Sequence, residues 1–228
     1  MKCVVTALLL CLFSCAIFSS KSIAANQKAN PSNAKTAPAI SGDAQAGKFK
    51  SEDSRCQECH GADGNGQGPA VGGAGKFAKL AGQYPDYITK QIRDFRSGER
   101  KHDFMLIMAK SIDETDSADI AAYFASQVKM HGDGKGDNAI GKNLFSNGDA
   151  ARNILPCSSC HGVEGRGIDA PQQTIPVIGG QERQYLKVQL EAWRNGERHN
   201  SDGGVMNIFS KALTDSEIEA LSDYISGL

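Results

Sequence analysis

One five-residue unit of chemistry occurs twice in this chain. It is Cys56-Gln57-Glu58-Cys59-His60 and, 101 residues later, Cys157-Ser158-Ser159-Cys160-His161. Two thiols separated by two residues and followed at once by an imidazole form the attachment sequence of a c-type haem. On one helical turn, Cys56 and Cys59, or Cys157 and Cys160, reach the two vinyl groups of a porphyrin. His60 or His161 then brings a ring nitrogen beneath the iron. The expected cofactors are two covalently bound haem c groups.

Other uses of paired cysteines fit less well. Zinc ribbons space their cysteine pairs by ~15 to 20 residues and need no histidine after both. A thioredoxin-like dithiol needs a βαβ setting, and no convincing strand run is present. The glycine-rich stretches after each histidine, Gly61 to Gly75 and Gly162 to Gly180, neither follow an apolar strand nor end in the Lys-Ser/Thr of a phosphate-binding loop. They read as wrappings for a haem edge. Pro69 and Pro171 are candidates to offer a backbone carbonyl to the histidine ring, which would fix its orientation.

A haem iron held by one histidine keeps a free axial position. Open, it binds and transforms small molecules; closed by a methionine thioether, it favours electron transfer at a raised potential. The repeat selects the ligand. Met105 lies 45 residues beyond His60, and Met206 lies 45 beyond His161. Each precedes the apolar entry to the last helix of its half, Ile112 or Leu213, by seven residues. Met108 has Phe209 as its counterpart, which suggests packing. His102 and His199 fall at unequal distances from their methionines and remain the alternative, low-potential ligands.

These groups need helices to position them. Ala46-Gly47-Lys48-Phe49 and Ile140-Gly141-Lys142-Asn143-Leu144-Phe145 lead into the two motifs, each with a glycine that would let a second helix cross closely. Tyr87-Ile88-x-x-Gln91-Ile92-x-x-Phe95-Arg96 matches Tyr185-Leu186-x-x-Gln189-Leu190-x-x-Trp193-Arg194 at helical spacing. Both close in Gly-Glu-Arg, at 98–100 and 196–198, where the glycine stops a helix. Arg96 and Arg194 could meet haem propionates and Tyr87 and Tyr185 the porphyrin edge, or all four could be ordinary helix packing and surface. A capping box at Thr214-Asp215-Ser216-Glu217 opens a last helix, and Asp113-Glu114-Thr115-Asp116 plays a similar role in the first half.

The chain has 228 residues, room for two domains of about 100 each. The expected division is a signal peptide at 1–25, a flexible tether at 26–41, and domains at 42–131 and 132–228. Lys2, the apolar run Val4 to Phe18 and the small residues before Ala25 have the pattern of an export signal. The run is short of the ~20 residues needed to span a bilayer, so an uncleaved anchor is the competing reading. Of seven cysteines, three fall in this leader and the other four belong to the two motifs. None is left for a disulfide or a cysteine haem ligand. Without the leader, 23 basic residues face 26 acidic ones, which gives no sign of a nucleic-acid partner. The second half is the more acidic, with 9 basic and 13 acidic residues against 12 and 13 in the first. Such a field could orient a docking partner, or reflect ordinary surface drift.

The chain resembles the dihaem cytochromes c4 across about residues 42 to 228. The resemblance includes the opening Gly42-Asp43-Ala44-Gln45-Ala46-Gly47, the words Lys79-Leu80-Ala81-Gly82-Gln83, and the closing Asp119 to Phe124 and Glu219 to Ile225. It implies an all-α fold of two tandem class I cytochrome c domains related by a pseudo-twofold. It also implies haem attachment at Cys56, Cys59, Cys157 and Cys160, with axial ligands His60 and Met105, and His161 and Met206. One departure is Ala78, where the family often has proline and the second half keeps Pro176. The expectation is a periplasmic carrier of single electrons with no substrate turnover of its own. Its partners would be a quinol-oxidising complex and a terminal oxidase, with loose membrane association allowed. The alternative is a haem-carrying subunit of a dehydrogenase such as flavin sulfide dehydrogenase.

Overall fold

Asp43 caps the first helix. Its carboxylate accepts from the backbone N–H groups of Gln45 and Ala46, opening α1 (Ala44–Asp53). A single turn, α2 (Gln57–His60), carries the first motif and is followed by α3 (Pro85–Ser97), α4 (Asp103–Lys110) and α5 (Glu114–Ala125). The second half repeats the order with α6 (Ala139–Asn147), α7 (Ser158–His161), α8 (Arg183–Asn195), α9 (Val205–Ser210) and α10 (Asp215–Gly227). This computed structural model describes residues 41–67, 77–170 and 173–228. The expected leader, all of the tether except Ser41, and Pro69 and Pro171 lie outside them.

In each half the first helix crosses the last, and a glycine sets how closely. A Cβ on Gly47 would overlap the Asp119 carbonyl and crowd Tyr123 of α5; one on Gly141 would do the same to the Ala220 carbonyl and Tyr224 of α10. The crossing in the first half is also held by charge. Lys50 Nζ reaches Asp119 at 2.6 Å and Asp116 at 2.7 Å, and Asp119 accepts from the Asp43 N–H at 2.7 Å.

Behind each crossing lies an apolar cluster. Ile88, Ile92, Phe95, Ile120 and Phe124 centre the first; Leu144, Phe145, Leu186, Ile218, Leu221 and Ile225 centre the second. Each large side chain so buried contributes ~1.5–3 kcal/mol. The expected helix stops and caps are present. Gly98 and Gly196 take left-handed conformations after α3 and α8. Thr214 and Glu217 form the reciprocal capping box of α10, and Asp113 caps α5 through the Asp116 N–H.

Short features beyond the α-helices are also present. Ile168–Ala170 pairs antiparallel with Gln173–Ile175, with Ile168 opposite Ile175, as a small hairpin inside the second glycine-rich stretch. Strands of three residues show no alternating pattern, so periodicity alone misses them. A 3-10 turn, Ala150–Arg152, also precedes the second motif. There Arg152 binds Asp149 and Glu217, which ties the turn to the cap of α10.

The segment joining the halves is fastened at both sides. Met130 is 1% exposed, and its N–H donates to the Ala81 carbonyl at 3.0 Å. The Gly132 and Gly134 N–H groups donate to the carbonyls of Leu228 and Gly227. Among the described residues, no helix is long and apolar enough to cross a membrane.

Two outcomes follow from this packing. Gly47→Ala and Gly141→Ala should each lower unfolding free energy by about 1–3 kcal/mol, the usual cost of overpacking; an unchanged urea midpoint would show slack in the crossing. Glu217 has its pKa lowered to about 2 from 4.5, chiefly by the Arg152 hydrogen bond. Its stabilisation is therefore full above pH about 4.5 and lost as pH falls toward about 2. The difference in urea midpoint between wild type and Glu217→Gln should narrow over that window, and a constant difference would contradict the linkage.

Candidate haem sites

Cys56 and Cys157 precede their helical turns with helical backbone angles, so each motif lies on one continuous turn. The N–H of His60 donates to the Cys56 carbonyl at 3.0 Å, and that of His161 to the Cys157 carbonyl at 2.9 Å. Cys56 packs on the first apolar cluster and Cys157 on the second, so one thiol of each pair is anchored in a core. Burial pushes both of these thiols up to about 11. Redox-active dithiols show the reverse, a depressed pKa that exposes thiolate. Nor do the cysteines converge on a zinc-like cluster: among the described residues, no three of His, Cys, Asp or Glu come together to hold a metal ion.

The histidine rings are fixed by the backbone. His60 Nδ1 lies 2.8 Å from the Ala78 carbonyl oxygen, and His161 Nδ1 lies 3.0 Å from that of Pro176. A carbonyl oxygen only accepts, so each Nδ1 carries the proton and each Nε2 is left bare for a metal. Burial holds both rings below the usual histidine range, which favours the neutral form a ligand needs. This corrects the assignment of Pro69 and Pro171 as the residues whose carbonyls accept from the histidine rings. Both lie outside the described residues, and the Nδ1 partners are Ala78 and Pro176. The replacement of proline by Ala78 leaves the first site's hydrogen bond intact, because the acceptor is backbone.

The candidate methionines sit on matching short helices. Met105 is in the first turn of α4, packed against the first cluster, and its N–H donates to His102 Nδ1 at 3.3 Å. Met206 is near the start of α9, partly buried, with its N–H on Ser201 Oγ at 3.2 Å. Other histidines and a further methionine make contacts of their own. His102 caps α4, His199 Nε2 lies 3.6 Å from Glu99, and buried Met130 accepts from Gln181 Nε2 at 3.6 Å.

Known proteins resemble this chain along most of its length. The family profile described as Cytochrome c matches residues 44–127 and 139–228. The chain is 39% identical to cytochrome c4 of Pseudomonas aeruginosa over 190 residues, which are 82% of this chain and 89% of that protein. The chain belongs to the dihaem cytochrome c4 family. The crystal structure of reduced recombinant cytochrome c4 from Pseudomonas stutzeri is similar over 82% of this chain and 100% of that one, with 36% identity and a TM-score of 0.73. The thiosulfate dehydrogenase electron acceptor of Stutzerimonas stutzeri is 34% identical over 177 residues, 76% of this chain and 78% of that protein. As a cytochrome c4, the protein consists of two tandem cytochrome c domains that carry two haem c groups. Its two CXXCH turns fit their attachment in donor type, burial and histidine tautomer.

Of the two readings open for Arg96 and Arg194 in this cytochrome c4, helix packing is the one the contacts support, while a second set of polar residues went unread in the sequence. Arg96 binds the Ala109 and Ile112 carbonyls and Glu114, and Arg194 binds the Leu213 carbonyl and Asp215, so both tie one helix to the next. Tyr87 and Tyr185 face the other half. Arg100 donates to Tyr185 at 2.8 Å, and Arg198 donates to Tyr87 at 3.1 Å. Gln91 and Gln189 each accept from both arginines. Each guanidinium stacks on an aromatic ring of its own half, Arg100 on Phe95 at 4.5 Å and Arg198 on Trp193 at 4.2 Å. They are 7% and 6% exposed, and among the described residues neither is hydrogen-bonded to a carboxylate. Burial, with Arg100 close by, lowers the pKa of Arg198. The signal was in the sequence: the arginine closing each Gly-Glu-Arg repeats as faithfully as the glycine.

Arg198→Ala would leave Tyr87 without its buried donor and take one donor each from Gln91 and Gln189, which keep Arg100. It should cost about 2–4 kcal/mol in chemical unfolding, with Arg198→Lys recovering part of the loss. A cost under about 0.5 kcal/mol, the usual range for surface changes, would mean that water replaces the guanidinium freely.

Proposed function

We propose that this cytochrome c4 is an exported, periplasmic carrier that moves single electrons between the respiratory chain and a terminal oxidase, with no substrate turnover of its own. In this reading Cys56 and Cys59 bind the first haem and Cys157 and Cys160 the second. His60 with Met105, and His161 with Met206, would hold the two irons, in domains spanning 42–131 and 132–228 behind a leader at 1–25. Haem c supplies a one-electron iron couple. Each histidine Nε2 is held bare and oriented by the Nδ1–H bond to a carbonyl. Each methionine thioether would close the remaining position, which would favour the reduced state and bar small molecules. Support comes above all from the equivalence of the two sites. Both hold a buried histidine ring locked on a backbone carbonyl through Nδ1, followed by a partly buried methionine at the start of a short helix.

A second reading is favoured by one relative, the thiosulfate dehydrogenase electron acceptor at 34% identity. There this chain would take electrons from a dehydrogenase of reduced sulfur compounds and serve as its haem partner. The two readings separate in a reduction assay. Faster reduction by a quinol-oxidising complex supports the first, and faster reduction by thiosulfate dehydrogenase with its substrate supports the second.

The ligand assignment is tested by spectroscopy on the haem-loaded protein. Two low-spin c-type haems per chain and two waves at positive potential are expected, with no carbon monoxide binding to the reduced form. Met206→Ala should open one haem of the two to carbon monoxide, and Met105→Ala the other. Ready binding by the wild type would overturn a closed methionine site in at least one half.

A further inference from the structure

Two buried glutamines join the halves in a crossed pattern. Gln83, 4% exposed, reaches from the first half into the second. Its Oε1 accepts from the Val177 N–H at 3.0 Å, and its Nε2 donates to the Val177 carbonyl at 2.9 Å. Gln181, also 4% exposed, reaches the other way: Oε1 accepts from the Lys79 N–H at 2.7 Å, and Nε2 donates to the Lys79 carbonyl at 2.9 Å. Each amide therefore clamps one residue of the opposite half on both its backbone groups.

The clamped residues are the ones that follow the histidine acceptors. Lys79 N–H and Ala78 C=O belong to one planar peptide unit, and so do Val177 N–H and Pro176 C=O. At one end of the first unit is His60 Nδ1–H, at 2.8 Å; at the other is Gln181. At one end of the second is His161 Nδ1–H, at 3.0 Å; at the other is Gln83. A hydrogen bond donated by a peptide N–H polarises the unit and strengthens its carbonyl as an acceptor, by about 10–30% per bond. A stronger acceptor at Nδ1 makes the imidazole more basic at Nε2 and holds its ring in place.

We propose that Gln83 and Gln181 are crossed positioning residues, each setting the orientation and basicity of the haem-ligand histidine in the opposite half. The inference rests on His60 and His161 binding iron, as in the function proposed above. Its consequence is that reduction of each haem depends on how the other half is docked. Gluing the two halves together would place these glutamines anywhere along the seam. Their position on these two peptide units is what links the seam to the ligands.

The test uses the full haem-loaded chain. In the reduced, diamagnetic state the ring Nδ1–H signals of His60 and His161 are followed by nitrogen-edited NMR, and each haem's couple is read from its own resonances during stepwise oxidation. Gln83→Leu removes both clamp hydrogen bonds with little change in volume. The His161 signal should move to lower frequency as its hydrogen bond weakens. The second haem's reduction equilibrium should shift toward the ferrous state by up to about tenfold, about 59 mV for one electron. The His60 signal and the first haem should stay where they are. Gln181→Leu should produce the mirror image. Gln83→Glu, which keeps an acceptor for the Val177 N–H, should return the His161 signal most of the way. Gln83→Met, flexible enough to fill the gap, replaces the leucine variant if that variant fails to fold. Equal changes in both halves, a larger change in the variant's own half, a downward shift of the couple, or no change would each overturn the proposal. In oxidised samples, hyperfine shifts at His60 and His161 report iron binding independently. Their absence would overturn the ligand assignment, whereas their presence with unmoved reduced-state signals would overturn the crossed positioning alone.

Discussion

The hydrogen bond from each histidine Nδ1 to a backbone carbonyl is the contact on which the two sites depend. It chooses the tautomer, leaves Nε2 bare and ties the ring to a loop. A loop is an uncertain foundation unless something holds it. Here the Ala78 and Pro176 carbonyls are each one residue from a backbone gripped by the other half. The helices supply the cysteines and the candidate methionines, while the contact between halves steadies the acceptors.

That contact is unusually polar. Arginine, tyrosine and glutamine take the places that leucine and valine would fill in an ordinary domain interface, and they are repeated about the pseudo-twofold. Two buried guanidiniums repel one another, so aromatic faces and neutral acceptors must make up the loss of water around them. An apolar seam tolerates sliding, because dispersion has little directional preference. Reciprocal hydrogen bonds between Arg100 and Tyr185, and Arg198 and Tyr87, specify one register.

The sequence carried the local chemistry clearly. The CXXCH turns, the equal spacing to Met105 and Met206, the helix pairs, the capping box and the glycines at 47 and 141 are near-neighbour or periodic signals, and the internal repeat made each one testable against its copy. Contacts between the halves left a weaker trace. Gln83 lies 94 residues from Val177, and no spacing rule connects a side chain with a distant peptide group. Arg100 and Arg198 were visible as a repeat, but Gly-Glu-Arg is equally the grammar of a helix end, and local grammar conceals burial. The hairpin at 168–175 was too short for its strands to show a period. The true acceptors for the histidines lay immediately before the aligned words Lys79-Leu80-Ala81-Gly82-Gln83 and Val177-Ile178-Gly179-Gly180-Gln181, a position that only the backbone path distinguishes.

The crossings at Gly47 and Gly141 bear on the order in which the molecule is made. Each half is closed by joining its first helix to its last, and such distant contacts form late because the intervening loop must be ordered first. The CXXCH turn lies inside that loop. Until α5 or α10 has docked, its cysteines remain on an open chain within reach of the machinery that loads the cofactor. The first half completes its last helix about a hundred residues before the second, so the two attachment sites need not compete for that machinery at the same moment.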